Sequence, residues 1–242
     1  MPVSFSQPLE QSLQRAGAIA REQSRAHATP EDLLIALIDD ADASALMHAL
    51  KIDGDRMHRD VTGYMDQATD EPAGDPSELW KYTPDLHRAL QIASTHVQST
   101  GRAVVTGADI LVELFTQPVG HFLQQQGVTR YDAVVHLSHG AAAERMTSAP
   151  DASGAARLEV CLLNDDYTPM EFVVWILEEV FGIGWDDATK IMLATHHNGR
   201  GSCGAFERAE ATALVARVDE LAREHRHPLR CLMLPAVEPT AS

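Results

Sequence analysis

Three consecutive polar side chains, Asn164, Asp165 and Asp166, carry the strongest candidate chemistry in this sequence. They follow an apolar run and precede Thr168, Pro169 and a second apolar run. This pattern predicts a strand, a tight polar turn and a helix with Thr168 as N-cap and Pro169 as its first residue. An amide beside two carboxylates can hold a compact cation, such as a protonated amine, by charge-assisted hydrogen bonds. The alternative is a purely structural turn, because Asn and Asp bond their own backbone.

The elements around this turn predict a small α+β domain. Strands are expected at 158–163, 201–206 and 229–234, and helices at 169–181, 185–197 and 207–225. Asn198-Gly199 is a left-handed cap signal that ends the second helix, and Pro228 ends the third. Three strands and three helices in so short a segment are typical of a compact α+β unit, here with a three-stranded antiparallel sheet.

The first 140 residues repeat themselves at an offset of 77 residues. Apolar and capping positions of the first copy fall on the same residue types in the second: Leu9, Leu13, Ala16, Thr29, Asp32, Leu34 and Leu37 on Leu86, Leu90, Ala93, Thr106, Asp109, Leu111 and Leu114. Each copy predicts a long helix, a polar loop, a capped second helix and two shorter helices. The cap at Thr29 has Pro and acidic residues in the first turn, and Thr106 is its weaker counterpart. The sequence therefore predicts an all-α domain made of a duplicated four-helix unit.

Two domains follow from this division, residues 1–140 and 157–242, joined by residues 141–156. The joining segment is small and polar and lacks an apolar period, which is typical of a flexible linker. We expect a linker of this length to have a reach of roughly 20–25 Å, which keeps the two domains at high effective concentration.

Net charge excludes one large class of function. The chain carries −16 overall, with 21 acidic and 11 basic residues up to 156 and 14 and 8 beyond it. Neither part is basic, so no nucleic-acid partner is expected. The sequence has no apolar run long enough to span a membrane and no secretory signal at its start. Three cysteines in such a chain indicate reduced thiols and a cytoplasmic location.

The first domain resembles the double-repeat N-terminal domain of the Clp unfoldases, ClpA most of all, over about residues 5–140. The resemblance lies in a few short strings: Leu9-Glu10-x-Ser12-Leu13, Ala20-Arg21-Glu22, Thr29-Pro30-Glu31-Asp32-Leu33-Leu34 and Val105-Thr106-Gly107-Ala108-Asp109-Ile110-Leu111-Val112. In that family the domain docks substrates and adaptors in front of AAA+ ATPase modules. This sequence contains no Gly-x4-Gly-Lys-Ser/Thr phosphate loop, so we expect no unfolding activity from it alone.

The second domain resembles ClpS, the adaptor that hands N-degron substrates to the Clp protease. The resemblance runs from about residue 158 to 235 and lies in four ordered blocks: Asn164 to Val173, Ala188-Thr189-x-Ile191-Met192-Leu193-Ala194-x-His196, Cys203-Gly204-x-Phe206 and His227-Pro228-Leu229. It implies that Asn164, Asp166 and His196 surround the α-amino group of a substrate, while Asp165 adds negative charge. His196 accepts a hydrogen bond only when neutral, so binding should weaken as pH falls.

The same resemblance implies an apolar pocket for the first side chain of the substrate, lined by Leu162, Thr168, Met170, Met192, Thr195 and Leu229. Met170 occupies the position that excludes β-branched side chains in the family. Thr195 replaces an apolar residue, which leaves the preference among Phe, Leu, Trp and Tyr open. Ala209 and Leu214 replace an acidic and a basic residue that dock the adaptor on the unfoldase, so the docking interface is either an apolar contact between the two domains of this chain or is lost.

The sequence thus predicts a non-enzymatic adaptor whose partners are a ClpA-like AAA+ unfoldase with its protease and N-degron substrates, without cofactor or metal. One alternative is a pseudo-adaptor that occupies partner surfaces and inhibits delivery. A zinc-binding protein is another, because His196, Cys203, His227 and Cys231 have the right atom types, although their spacing fits no common site. Catalysis by Asp165 and Asp166 is disfavoured, since adjacent residues on one turn do not face each other across a reacting bond.

Overall fold

The computed structural model describes residues 3–67, 81–140 and 157–236. The chain divides into two compact units, residues 1–133 and 134–242. The predicted linker, residues 141–156, lies outside the described residues, and the domain boundaries assigned from the sequence stay predictions. Within the described ranges, no helix has the length and apolar content that a membrane-spanning segment requires.

Helices form most of the first unit, in the duplicated order that the sequence predicts. They are α1 (Gln7–Glu22), α2 (Pro30–Leu37), α3 (Ala41–Ala49), α4 (Gly54–Met65), α5 (Pro84–Ser99), α6 (Gly107–Leu114) and α7 (Gly120–Gln124), followed by α8 (Arg130–His139), which begins in the first unit and ends in the second. Leucine and isoleucine side chains on their inner faces are fully buried, as in Leu9 and Leu33 of the first copy and Leu86 and Ile110 of the second. Each such side chain contributes about 1.5–3 kcal/mol relative to leaving it exposed.

Four two-residue strands in this unit were not predicted from the sequence. β1 (Ser4–Phe5) pairs in parallel with β4 (Val104–Val105), and β2 (His27–Ala28) pairs in parallel with β3 (Lys81–Tyr82). At the repeat offset, β1 is equivalent to β3 and β2 to β4, so each bridge joins non-equivalent strands of the two copies. This pairing pattern is the one expected for two copies that are related by approximate twofold symmetry.

Both copies cap their second helix in the same way. Thr29 and Thr106 each accept a hydrogen bond from the backbone N–H three residues on, and the carboxylates of Asp32 and Asp109 accept the backbone N–H of the cap residue. The two aspartates are almost fully buried and are paired with arginines, at 2.7 Å for Arg25 Nη1 and 2.9 Å for Arg102 Nη1. The second cap is thus a complete capping box, although its sequence is the weaker signal.

The second unit has the predicted α+β architecture. Its further elements are β5 (Arg157–Leu163), α9 (Met170–Phe181), α10 (Trp185–Asn198), β6 (Arg200–Glu207), α11 (Arg208–Glu224) and β7 (Arg230–Pro235). The sheet order is β6-β5-β7 with both pairings antiparallel, which confirms the predicted three-stranded antiparallel sheet. Leu158, Val160 and Leu162 alternate along β5 on the face that packs against the helices, where Ile176 and Val218 are fully buried.

Glycines in the left-handed region end two helices of this unit. Gly182 has φ 65° after α9 and Gly199 has φ 79° after α10, which confirms the predicted cap at Asn198-Gly199. The prediction for the start of α9 was wrong. The N-cap is Pro169, without a side-chain cap, because the Thr168 hydroxyl donates a hydrogen bond to Asp165 Oδ2 at 2.7 Å.

Candidate functional site

Antiparallel pairing brings the polar turn after β5 to the end of α10. Leu163 is in register with Arg200, and the backbone N–H of Asn164 donates to the carbonyl oxygen of Gly199 at 2.9 Å. Gly199 caps α10, and His196 lies in the last turn of that helix with an exposed side chain. The fold therefore places the predicted acceptors of the turn and the predicted helix-borne acceptor at one end of the sheet.

Asp165 organises the turn itself. Its Oδ1 accepts the backbone N–H groups of Tyr167 at 2.8 Å and Thr168 at 2.6 Å, and its Oδ2 accepts the Thr168 hydroxyl. Both carboxylate oxygens are thus used within the turn, which is the structural role that the sequence left open. Asn164 and Asp166 are half-buried beside it. We infer that Asp165 shapes the turn.

Replacing Asp165 should separate these roles. Asp165→Ala removes three hydrogen bonds, so we expect the free energy of unfolding to fall by about 1–3 kcal/mol. Asp165→Asn keeps the Oδ1 acceptor for the two N–H groups and should lose less than half of that. Urea unfolding followed by Trp fluorescence measures both. Equal stability of the alanine variant and the unchanged chain would contradict the organising role.

The six predicted pocket residues differ in exposure. Leu162 is 0% exposed, Leu229 1% and Thr195 3%, whereas Met170, the first residue of α9, is 43% exposed. Thr168 and Met192 are half-buried. Leu162, Leu229 and Thr195 are therefore core residues of this unit, and Met170 is the exposed one of the six. Leu162 is paired with Gly201 on β6 and with Cys231 on β7, so it lies at the centre of the sheet.

Thr195 has a packing role that the sequence did not indicate. Its hydroxyl donates to the Ile191 carbonyl oxygen at 2.8 Å, one turn back along α10. A Cβ atom built on Gly201 would collide with the Thr195 hydroxyl oxygen and lie 2.7 Å from the Ile191 carbonyl oxygen. Gly201 therefore lets α10 approach β6 closely. Since the Thr195 hydroxyl already has a partner, it is not a free donor for a ligand.

His227 lies near the turn. The sequence indicated this residue only as part of a block shared with the ClpS family and as a candidate metal ligand. Its ring centroid lies 4.5 Å from that of Phe172 on α9. Burial lowers the pKa of His227, the charge of Asp165 raises it, and His225 lowers it further. The net direction is downward, which favours a neutral imidazole that can accept a hydrogen bond. The signal was available in the sequence, because His227 lies two residues before the predicted wall residue Leu229.

The geometry gives no support to the zinc alternative. Burial raises the pKa of the Cys203 thiol to about 12 and that of Cys231 well above its usual value. No three His, Cys, Asp or Glu side chains come together as a metal site anywhere in the described ranges.

Comparisons with known proteins divide the chain in the same way. Residues 4–126 match the Clp repeat N-terminal domain, and residues 154–232 match the ATP-dependent Clp protease adaptor protein ClpS. A ClpS adapter protein of Xanthomonas oryzae pv. oryzae is 47% identical over 95 residues, which is 39% of this chain and 88% of that protein. A ClpA homolog protein of Fuscovulum blasticum is 40% identical over 144 residues, which is 57% of this chain but 18% of that protein.

Among solved structures, Agrobacterium tumefaciens ClpS2 bound to L-phenylalaninamide is 33% identical, covers 34% of this chain and 99% of its own, and superposes with a TM-score of 0.33. Matches to two family models identify both parts of the chain. The second part is identified in addition by its sequence identity to ClpS adapter proteins, since the chain covers 88% of the Xanthomonas protein. The chain therefore belongs to the Clp repeat N-terminal domain family through its first unit and to the ClpS family of Clp protease adaptors through its second.

Proposed function

We propose that this chain is an adaptor for an ATP-dependent Clp protease, which binds the N-terminal hydrophobic residue of N-degron substrates and modulates their delivery to the unfoldase. Asn164, Asp166 and His196 would accept hydrogen bonds from the α-ammonium group. Leu162, Leu229 and Met192 would form the floor of the pocket for the first side chain, with Met170 at its rim. Its partners would be a ClpA-like unfoldase and the associated protease, so the chain would act in the cytoplasm.

One observation carries the proposal: the hydrogen bond from the Asn164 backbone N–H to the Gly199 carbonyl oxygen. It holds the acidic turn against the end of the helix that carries His196. A free α-amino group is mostly charged at neutral pH, and carboxylate and imidazole acceptors on two sides can bind it by charge-assisted hydrogen bonds.

The direct test compares two peptides that differ only at the α-amino group. A fluorescein-labelled peptide beginning with a free Phe is expected to bind the full chain with a micromolar or lower dissociation constant, measured by fluorescence anisotropy. Its N-acetylated copy should bind at least about tenfold more weakly, because acetylation removes the charge and two donors. Equal binding of the two peptides would exclude a reader of free N-termini.

Met170 is expected to set the selectivity of the pocket. It is exposed at the start of α9, so Met170→Ala should open the rim without the cost of a core cavity. We expect the variant to gain binding of peptides that begin with Ile or Val, which the unchanged chain rejects. A panel of peptides with Phe, Leu, Ile or Val first, read by anisotropy, measures this. Loss of Phe binding without any gain for Ile or Val would contradict the rim assignment.

We infer that the second unit has no catalytic role. Both oxygens of Asp165 accept hydrogen bonds from its own turn, so it cannot act as an acid or base opposite Asp166. The docking surface for the unfoldase also differs from the family pattern. On α11, Ala209 is exposed and Leu214 half-buried, which makes an apolar contact the expected mode of docking.

Inhibition of substrate delivery is a second candidate function. It is favoured because domains of two Clp-related families are joined in one chain. The first unit has the fold of the domain that stands in front of unfoldase modules, so it can compete for the same adaptors and substrates. Degradation of an N-degron reporter by a purified ClpA-type unfoldase and its protease distinguishes the two. Faster degradation on adding the chain supports delivery, and slower degradation at equal peptide affinity supports inhibition.

A further inference from the structure

Helix α8 lies between the two family matches, the first of which ends at residue 126 while the second begins at residue 154. The last turns of α8 belong to the second unit, which begins at Val134. His139, the last residue of α8, is 9% exposed. All twelve histidines of the chain lie in the described ranges, and His139 is the buried one among them. Neither family match therefore accounts for this buried imidazole.

The ring of His139 reaches the segment that connects α11 to β7. Its Nε2 atom lies 2.8 Å from the Pro228 carbonyl oxygen, so this nitrogen carries the hydrogen and donates it to the carbonyl. Pairing between β5 and β7 ends at Leu163 and Arg230, so the sheet does not include Pro228. Pro228 is itself buried, and a buried carbonyl oxygen needs a donor. His139 supplies that donor from the end of α8.

Both chain neighbours of Pro228 belong to the surroundings of the proposed reader of N-termini, which comprises the polar turn, His196 and the predicted pocket. Leu229, which follows Pro228, is 1% exposed and is a proposed floor residue of the pocket. His227, which precedes it, packs its ring against Phe172 near the start of α9. A donor that holds the Pro228 carbonyl therefore also holds the backbone that presents Leu229.

The surroundings of His139 favour the neutral imidazole. Burial lowers the pKa of His139, while the hydrogen bond with Pro228 and the charge of Asp165 act against this lowering. The charge of Arg230, which pairs with Asp219 at 2.9 Å, lowers the pKa further, and the net direction is downward. The ring is thus neutral when buried and gains a proton when released. Its burial stabilises the structure above the ordinary pKa of about 6.5, and this contribution decreases as pH falls from there through the lowered pKa.

We propose that His139 is a positioning residue of the reader of N-termini, which acts from the end of α8 through Pro228 on Leu229. The inference rests on the proposed function, because it takes Leu229 as part of the pocket. It adds to the site a residue that lies outside both family matches. It also makes peptide binding depend on a neutral His139 in addition to a neutral His196. Release of the protonated ring on acidification would free the Pro228 carbonyl and loosen the floor of the pocket.

Two substitutions of His139 separate the hydrogen bond from the titration. His139→Leu removes the donor, so the full chain should bind a labelled free-Phe peptide at least about fivefold more weakly at neutral pH, measured by fluorescence anisotropy. His139→Gln keeps an N–H donor that does not titrate, and should bind within about twofold of the unchanged chain at neutral pH. Between about pH 7.5 and 5.5, this variant should lose at least about threefold less affinity than the unchanged chain loses.

His136 provides the matched control. It lies one turn earlier on α8 and is half-buried, so His136→Leu and His136→Gln make the same chemical changes in the same helix. Both variants should bind the peptide within about twofold of the unchanged chain and keep its pH dependence. Circular dichroism checks that all four variants are folded.

A pH titration of the imidazole signals by NMR gives an independent measurement. If binding needs a neutral His139, linkage requires that saturating free-Phe peptide lowers the pKa of His139, whereas the N-acetylated peptide should leave it unchanged. A His139 pKa that does not respond to the free-Phe peptide, or a His139→Leu variant that binds as tightly as His136→Leu, would overturn this inference and leave the reader of N-termini intact. Failure of the unchanged chain to bind the free-Phe peptide would overturn the proposed function, and this inference with it. If His139→Leu does not fold, His139→Gln and the NMR titration decide.

Discussion

Replacing Asp166 with alanine is expected to weaken binding of a free-Phe peptide at least about tenfold, because it removes a charge-assisted hydrogen bond of about 1.5–3 kcal/mol. The residue is half-buried beside the turn that Asp165 holds in shape. Loss of Asp166 therefore removes an acceptor and leaves its support in place. Anisotropy titration of the labelled peptide measures the change, and urea unfolding checks that stability is retained.

Asp186→Ala is the matched control for charge. It also removes one exposed carboxylate from the second unit, but in the first turn of α10, at the opposite end of the helix from His196. We expect this variant to bind the peptide within about twofold of the unchanged chain at physiological ionic strength. If Asp166→Ala binds as tightly as Asp186→Ala, the assignment of Asp166 to the α-amino group is wrong.

Gly201→Ala is expected to cause a large loss of stability in the second unit from a single methyl group. The new Cβ would meet the Ile191 carbonyl oxygen at 2.7 Å, in addition to the Thr195 hydroxyl oxygen. The backbone oxygen cannot rotate away, so α10 must move off β6. Overpacking of this kind costs about 1–3 kcal/mol, and the hydrogen bond from Thr195 to Ile191 adds about 1 kcal/mol if it breaks. We therefore expect a loss near 3 kcal/mol in urea unfolding followed by Trp fluorescence.

Gly184→Ala provides the comparison in the same unit. Gly184 is the N-cap of α10 with φ −63°, and a Cβ there would meet nothing within 4 Å. Alanine at an N-cap costs at most about 1 kcal/mol. A loss in Gly201→Ala no larger than in Gly184→Ala would show that α10 and β6 are less closely packed than the structure indicates. We also expect Gly201→Ala to weaken peptide binding, since α10 carries His196.

Local sequence rules determined the elements of this protein. Asn-Gly after a helical segment favours a left-handed C-cap, so Asn198-Gly199 predicted the end of α10, the helix that carries His196. Alternating apolar residues predicted β5, and the repeat offset predicted two copies of one helical unit. These features depend on a few neighbouring residues, or on a comparison of the chain with itself, and need no knowledge of distant contacts.

Tertiary structure alone decided which partners the polar atoms have. The sequence showed two adjacent aspartates, but only the folded turn assigns both oxygens of Asp165 to backbone and hydroxyl donors. Likewise, the sequence predicted Thr195 as a pocket residue, and the fold adds that its hydroxyl donates to the Ile191 carbonyl oxygen close to Gly201. Arg130 pairs with Glu113, which lies 17 residues away in the chain. Hydrogen-bond and ion-pair partners are chosen by proximity in space, which no local pattern encodes.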